Sequence, residues 1–156
     1  YLALFAGAFG HTYGCHDIWQ MYSPDVVPTN NPHFYWYDAL DLPGATQMKY
    51  VRQLMESRSY TDRVPDQSVI RENDYPPSER IQATRGKDYL FIYTAAGRPF
   101  TVMPVKISGS SLKGYWYNPK DGSKKELPAV SNSKENFFQP PSTGYGRDCV
   151  LVLDGV

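Results

Sequence analysis

The sequence predicts two units in tandem: a strand–helix piece of an α/β barrel over residues 1–59, then a small antiparallel β-sandwich over residues 81–156. Three observations lead there. Residues 1–9 are small and apolar on nearly every face, as in a helix buried on several sides. Met48, Val51, Leu54 and Met55 recur at helical spacing. From Ile81 onward the period changes to that of strands, in short runs separated by turn residues.

Each element has a local reason. Gly10 can end the first helix as a left-handed cap. His11 to Gly14 is short, β-prone and closed by glycine, which reads as a strand. Residues 15–40 then form an irregular, aromatic-rich stretch, long enough to suggest a functional loop or lid. Asp41 can cap a helix over residues 42–58, with Pro43 in its first turn. Residues 60–80 are polar and hold Pro65, Pro76 and Pro77, so they read as a linker or strap rather than a core element. Strands follow at 88–95 and 99–107, joined in hairpin fashion by Ala96-Gly97-Arg98. A third runs over 112–119 into the turn Lys120-Asp121-Gly122-Ser123, and a last one covers 148–154. A sandwich this short is near the lower size for independent folding, so it is expected to lean on the first unit.

Composition excludes several function classes. Sixteen basic groups balance sixteen acidic ones, which lacks the basic excess of a nucleic-acid binder. The longest apolar run, Leu2 to Phe9, is far short of the roughly 20 residues of a membrane span. Cys15 and Cys149 are too few for a disulfide framework and read as free thiols. No charged region precedes the apolar start, so it does not read as a signal peptide but as a piece of a longer protein.

Chemistry concentrates in "GHTYGCHDIWQMY" (10–22). Active sites of α/β barrels lie at the C-terminal ends of strands and in the loops that follow. His11, Tyr13, His16, Asp17, Trp19 and Gln20 would stand there, with His11 and Tyr13 on one strand face. A metal site could draw on His11, His16 and Asp17, but the five-residue step matches no zinc motif. Cys15 beside His16 is no evidence of a catalytic dyad, because such pairs meet in space. A sugar subsite suits the residue types: an indole offers a flat apolar face, and His, Tyr, Asp and Gln bond hydroxyls. The competing reading makes Tyr13 and Trp19 core aromatics and the histidines satisfied polar groups.

"LFAGAFGHTYGCHDIWQMY", "DLPGATQMKYVRQLMES", "DYLFIYTAAGRPFTV", "GYWYNPKDG" and "DCVLVLD" resemble, in order, the C-terminal part of the apiosidase-like glycoside hydrolases, bacterial family 140 enzymes and their relatives. The resemblance implies a (β/α)8 TIM barrel followed by a β-sandwich that has been labelled a collagen-binding domain of a collagenase. It implies that residues 1–9 are barrel helix 7, 10–14 strand 8, 15–40 the loop after it and 42–58 helix 8. The acid/base carboxyl after strand 4 and the nucleophilic Glu after strand 7 would both precede Tyr1, so this segment holds no catalytic residue. Glu56, Glu72, Glu79, Glu126 and Glu135 lie at no barrel-strand end. His11, Tyr13, His16, Asp17, Trp19 and Gln20 would line the substrate, a plant or host polysaccharide. No cofactor and no metal are implied; the partners are the polysaccharide and the upstream part of the same enzyme, in a periplasmic or secreted setting.

In the sandwich, alternation turns Trp116 away from Tyr115 and Tyr117, which favours core packing over a surface sugar platform. Phe137, Phe138, Pro140 and Pro141 would fill the sandwich edge or the contact between units, and Lys124-Lys125-Glu126 a solvated hairpin end. The alternative to the hydrolase reading is a non-catalytic carbohydrate- or collagen-binding β-sandwich module.

Overall fold

The structure, a computed structural model, describes residues 1–72 and 74–156; of the strap expected over 60–80, residue 73 lies outside the described residues. Among the described residues, α1 (Leu2–Phe5), α2 (His16–Trp19), α3 (Trp36–Ala39) and α4 (Pro43–Glu56) come first. They are followed by β1 (Val64–Pro65), β2 (Ile81–Arg85), β3 (Tyr89–Thr94), β4 (Phe100–Val102), β5 (Ser111–Tyr117), β6 (Lys124–Ser131), β7 (Asn136–Phe138) and β8 (Cys149–Gly155). A six-stranded sheet runs β1-β2-β3-β8-β5-β6, and β4 pairs with β7 in a second, two-stranded sheet. All pairings are antiparallel.

The large sheet is the middle of three layers. On one face Ile92, Trp116, Leu151 and Leu153 pack with Phe100 and Phe138 of the small sheet. On the other, Phe91, Tyr115, Tyr117 and Val152 pack with Leu4 and Phe5 of α1 and Leu54 and Met55 of α4. The split follows from the two-residue repeat of a strand. In register, Trp116 lies opposite Leu151, while Tyr115 and Tyr117 lie opposite Val152 and Val150. With both faces covered, β3 and β8 read as almost unbroken apolar runs rather than alternating ones.

The sandwich therefore leans on the first unit. Tyr1 stacks on Tyr93 with ring centroids 5.2 Å apart. The Tyr117 hydroxyl donates to the Tyr50 carbonyl at 2.9 Å. Arg58 grips Asp154 with two bonds of 2.6 Å, from Nε to Oδ1 and from Nη2 to Oδ2.

Several expectations need correction. Residues 10–15 carry neither strand nor helix, since a strand needs neighbours to bond to and no strand pairs with them among the described residues. The left-handed glycine after α1 is Gly7, not Gly10: its φ is +100°, and a Cβ there would meet Pro65 Cγ at 2.8 Å. Asp41 does not cap α4, whose N-cap is Leu42 without a side-chain bond. β3 and β4 do not form a hairpin; the chain switches sheets between them, and Pro104 lies just past the end of β4. The strap 60–80 is not all outside the core, because Val69 and Ile70 are buried in it. The charged end at 124–126 is exposed, but it opens a full strand, β6. Trp116 is core, 4% exposed. Of the residues expected at the sandwich edge, Phe138 turns in and Phe137 turns out, as alternation demands.

Candidate functional site

The candidate site grows from one helical turn. Cys15 is extended and delivers the chain into α2, with Asp17 in its first turn. Asp17 is 7% exposed. Its Oδ1 accepts the amides of His33 at 2.8 Å and Phe34 at 3.0 Å, and Oδ2 accepts the Cys15 thiol at 3.6 Å. The Phe34 amide above all, helped by those partners, holds the Asp17 carboxyl below the usual carboxylate range against the opposing effect of burial. The residue thus staples the two ends of the long loop.

His16, Trp19 and Gln20 form a second knot around Thr29. The Trp19 indole N–H donates to His16 Nδ1 at 2.6 Å. His16 Nε2 therefore carries the ring proton and donates it to the Thr29 carbonyl, also at 2.6 Å. Gln20 donates to the same carbonyl at 3.1 Å and accepts the Thr29 amide at 2.9 Å. The polar edge of the indole is pinned from below while 64% of the Trp19 surface stays open. That is the geometry of an aromatic platform: the ring cannot rotate freely, and its face meets solvent. Both His16 nitrogens are already engaged, which leaves neither for a metal without breaking the knot.

His11 and Tyr13 stand apart from this knot. They both line one groove of about 710 Å³ with Leu4, Phe9, Met48 and Val51, although no strand forms there. Tyr13 lies over the first turn of α4; a Cβ on Gly44 would sit 2.6 Å from its hydroxyl. The six predicted site residues thus divide into His16, Asp17, Trp19 and Gln20 in the loop knot, and His11 and Tyr13 in the groove.

Sequence reasoning missed the aromatic succession further along the loop. Tyr22, Tyr35 and Tyr37 follow one another at centroid spacings of 5.3 and 5.6 Å, with Trp36 edge-on to Tyr37 at 5.6 Å. The available signal was density, since 11 of the aromatic residues fall within positions 1–50. Cys15 and Cys149 are free thiols, and burial pushes the Cys149 thiol up to about 12.

Comparison with known proteins matches the chain in two parts. Residues 1–62 match the family model described as "Apiosidase-like, catalytic domain". Residues 64–154, more than half of the chain, match the one described as "Putative collagen-binding domain of a collagenase". The chain belongs to that family, with an apiosidase-like segment in front of it. Among solved structures, one described as a glycoside hydrolase is 40% identical with a TM-score of 0.92, covering 98% of this chain and 34% of its own. A crystal structure of a family 5 glycoside hydrolase from Bacteroides vulgatus is 39% identical with a TM-score of 0.92, at the same coverage of 98% and 34%. The chain thus spans about a third of the length of these glycoside hydrolases. No curated protein matches it. No helix among the described residues is long and apolar enough to cross a membrane.

Proposed function

We propose that residues 1–59 supply the last strand–helix unit of a (β/α)8 barrel in a bacterial glycoside hydrolase, secreted or periplasmic, that cleaves O-glycosidic bonds in a polysaccharide. In this reading 10–14 is the last barrel strand, 60–80 a strap and 81–156 an appended sandwich. The observation that carries it is the open groove. Phe9 is 95% exposed beside Met48 and Val51, an apolar face that a monomeric protein rarely leaves uncovered. Upstream barrel strands and helices would cover that face and would supply the pairing that residues 10–15 lack.

Glycoside hydrolysis needs two carboxyl groups on either side of the scissile bond. Asp17 is committed to backbone amides, so the chain contributes substrate contacts and the acids come from the upstream part. Trp19 stacks on a sugar ring and Gln20 offers bonds to hydroxyls; His16 holds the indole through its two engaged nitrogens, and His11 and Tyr13 stand in the groove that the upstream elements would border. Asp17 acts by holding the loop that presents them. Hydrolysis of aryl glycosides by the longer enzyme, and none by residues 1–156, is the expected pair of assays; turnover by residues 1–156 overturns the division of labour.

The description of the sandwich family favours a second reading, a module that holds collagen. Against it, both faces of the sheet's inner strands β3, β5 and β8 are covered, and only the edge strand β6 is open. Retention of the whole chain on a collagen column, absent for an unrelated protein, would favour that module.

A further inference from the structure

The sandwich carries a cleft that the hydrolase reading does not use. It lies between the β5–β6 turn and the segment that leads into β8, with a volume of about 260 Å³. This is just below the roughly 300–1,000 Å³ of pockets that hold drug-sized ligands, so it suits one small unit. Its lining is unlike the rest of the chain. Lys120, Lys124, Lys125 and Arg147 line it together with a single carboxylate, Asp148, whereas the whole sequence is neutral.

The local bonds show which cations are already used. Lys120 donates to the Gly146 carbonyl at 2.5 Å, which ties the turn to the opposite wall. Lys124 sits over the Tyr115 ring, 4.6 Å from its centroid. Asp148 accepts the Tyr93 hydroxyl at 3.2 Å. Arg147 and Lys125 have neither an ion pair nor a side-chain hydrogen bond among the described residues. Both walls are built rather than loose. The Asp121 carboxylate accepts the Ser123 amide at 2.8 Å in the turn, and Thr143 donates to the Gly97 carbonyl at 3.0 Å behind the other wall.

We propose that this cleft binds the carboxylate of an acidic sugar unit in a polysaccharide. Arg147 presents a planar fork that matches a carboxylate with two parallel bonds, and Lys125 adds a point charge. Asn118, Ser123 and Ser142, also in the lining, suit the hydroxyls of the same unit. The charge pattern alone assigns an anion. That the anion is a sugar rests on the glycosidase reading, and the sandwich would then tether the enzyme to acidic stretches of its substrate.

Isothermal titration of the chain with a galacturonate oligosaccharide tests this at low salt. Saturable binding is expected, at least tenfold weaker for the fully methyl-esterified oligosaccharide, which keeps the hydroxyls and loses the charge. Arg147→Ala is expected to weaken binding by about tenfold, the size of one charge-assisted bond. Lys134→Ala, outside the cleft, is expected to leave it unchanged. If Arg147→Ala does not fold, as judged by its unfolding midpoint, Lys125→Ala takes its place. No binding, equal binding of the ester, or equal weakening by Lys134→Ala overturns the site. Inorganic phosphate binding as tightly as the oligosaccharide overturns the sugar assignment. The titration involves no hydrolysis, so a longer enzyme inert on glycosides would sink the hydrolase reading while leaving the measured binding intact.

Discussion

Two regions of the chain are rich in aromatic rings, and they use them in opposite ways. From Tyr13 to Tyr37 the rings stand at or near the surface on a loop that polar groups brace; Trp19 is the extreme case, pinned by His16 at its edge and open on its face. From Tyr89 to Tyr117 the rings lie between layers, Phe91 fully buried against Phe5 and Trp116 against Phe100 and Phe138. The difference teaches that residue type does not decide the role of an aromatic side chain. Strand periodicity commits each ring in the sandwich to one of two covered faces. The loop has no repeat, so its rings go wherever Asp17, Gln20 and their backbone partners place them.

The largest effect separating the regions is expected at Phe91. Phe91→Ala removes a ring with no exposed surface and should destabilise the chain by about 3–5 kcal/mol, read from the denaturant midpoint. A loss below about 1 kcal/mol would mean that the helical layer does not seal this face. Next comes the link between units. Arg58→Ala breaks a two-bond ion pair about a third exposed at both partners, so a loss of about 1–2 kcal/mol is expected, shrinking in high salt. A salt-independent loss would assign the effect to packing of the Arg58 stem instead.

Acid should then loosen the loop before the sandwich. The Asp17 carboxyl is held low in the folded chain, so its contribution is present above roughly pH 4, the ordinary carboxylate value. It is lost as pH falls through the depressed folded value. Amide exchange at His33 and Phe34 should lose protection in that window while that at Leu151 does not; protection that persists in Asp17→Asn at every pH would remove the carboxylate from the account. The smallest effect is expected at Trp19. Trp19→Ala should move stability by no more than about 0.5 kcal/mol, as for a surface substitution. A midpoint shift like that of Phe91→Ala would return Trp19 to the core.

Much of this contrast was legible in the sequence. The alternation around Trp116 placed it in the core, the Asp-Gly signal at 121–122 placed the β5–β6 turn, and α4 appeared within two residues of its observed ends. What was not legible depends on partners distant in the chain. β6 looked like a charged turn end because it is an edge strand with an exposed face, and its pairing with β5 fixes it. β7 is three residues long and has no periodic signal of its own. The pairing of Asp17 with amides 16 and 17 residues away, and of Gln20 with Thr29, leaves no mark in spacing. The basic cleft joins 118–125 to 141–149, segments whose charges look unremarkable until the sheet brings them together.

The proposed sugar subsite stands or falls on whether the open indole meets substrate. Steady-state kinetics of Trp19→Ala in the longer enzyme measure this directly. A loss of about 1–3 kcal/mol in kcat/KM, the scale of a stacked ring, with the unfolding midpoint unchanged, is the predicted result. Unaltered kcat/KM on every glycoside that the enzyme cleaves would contradict it.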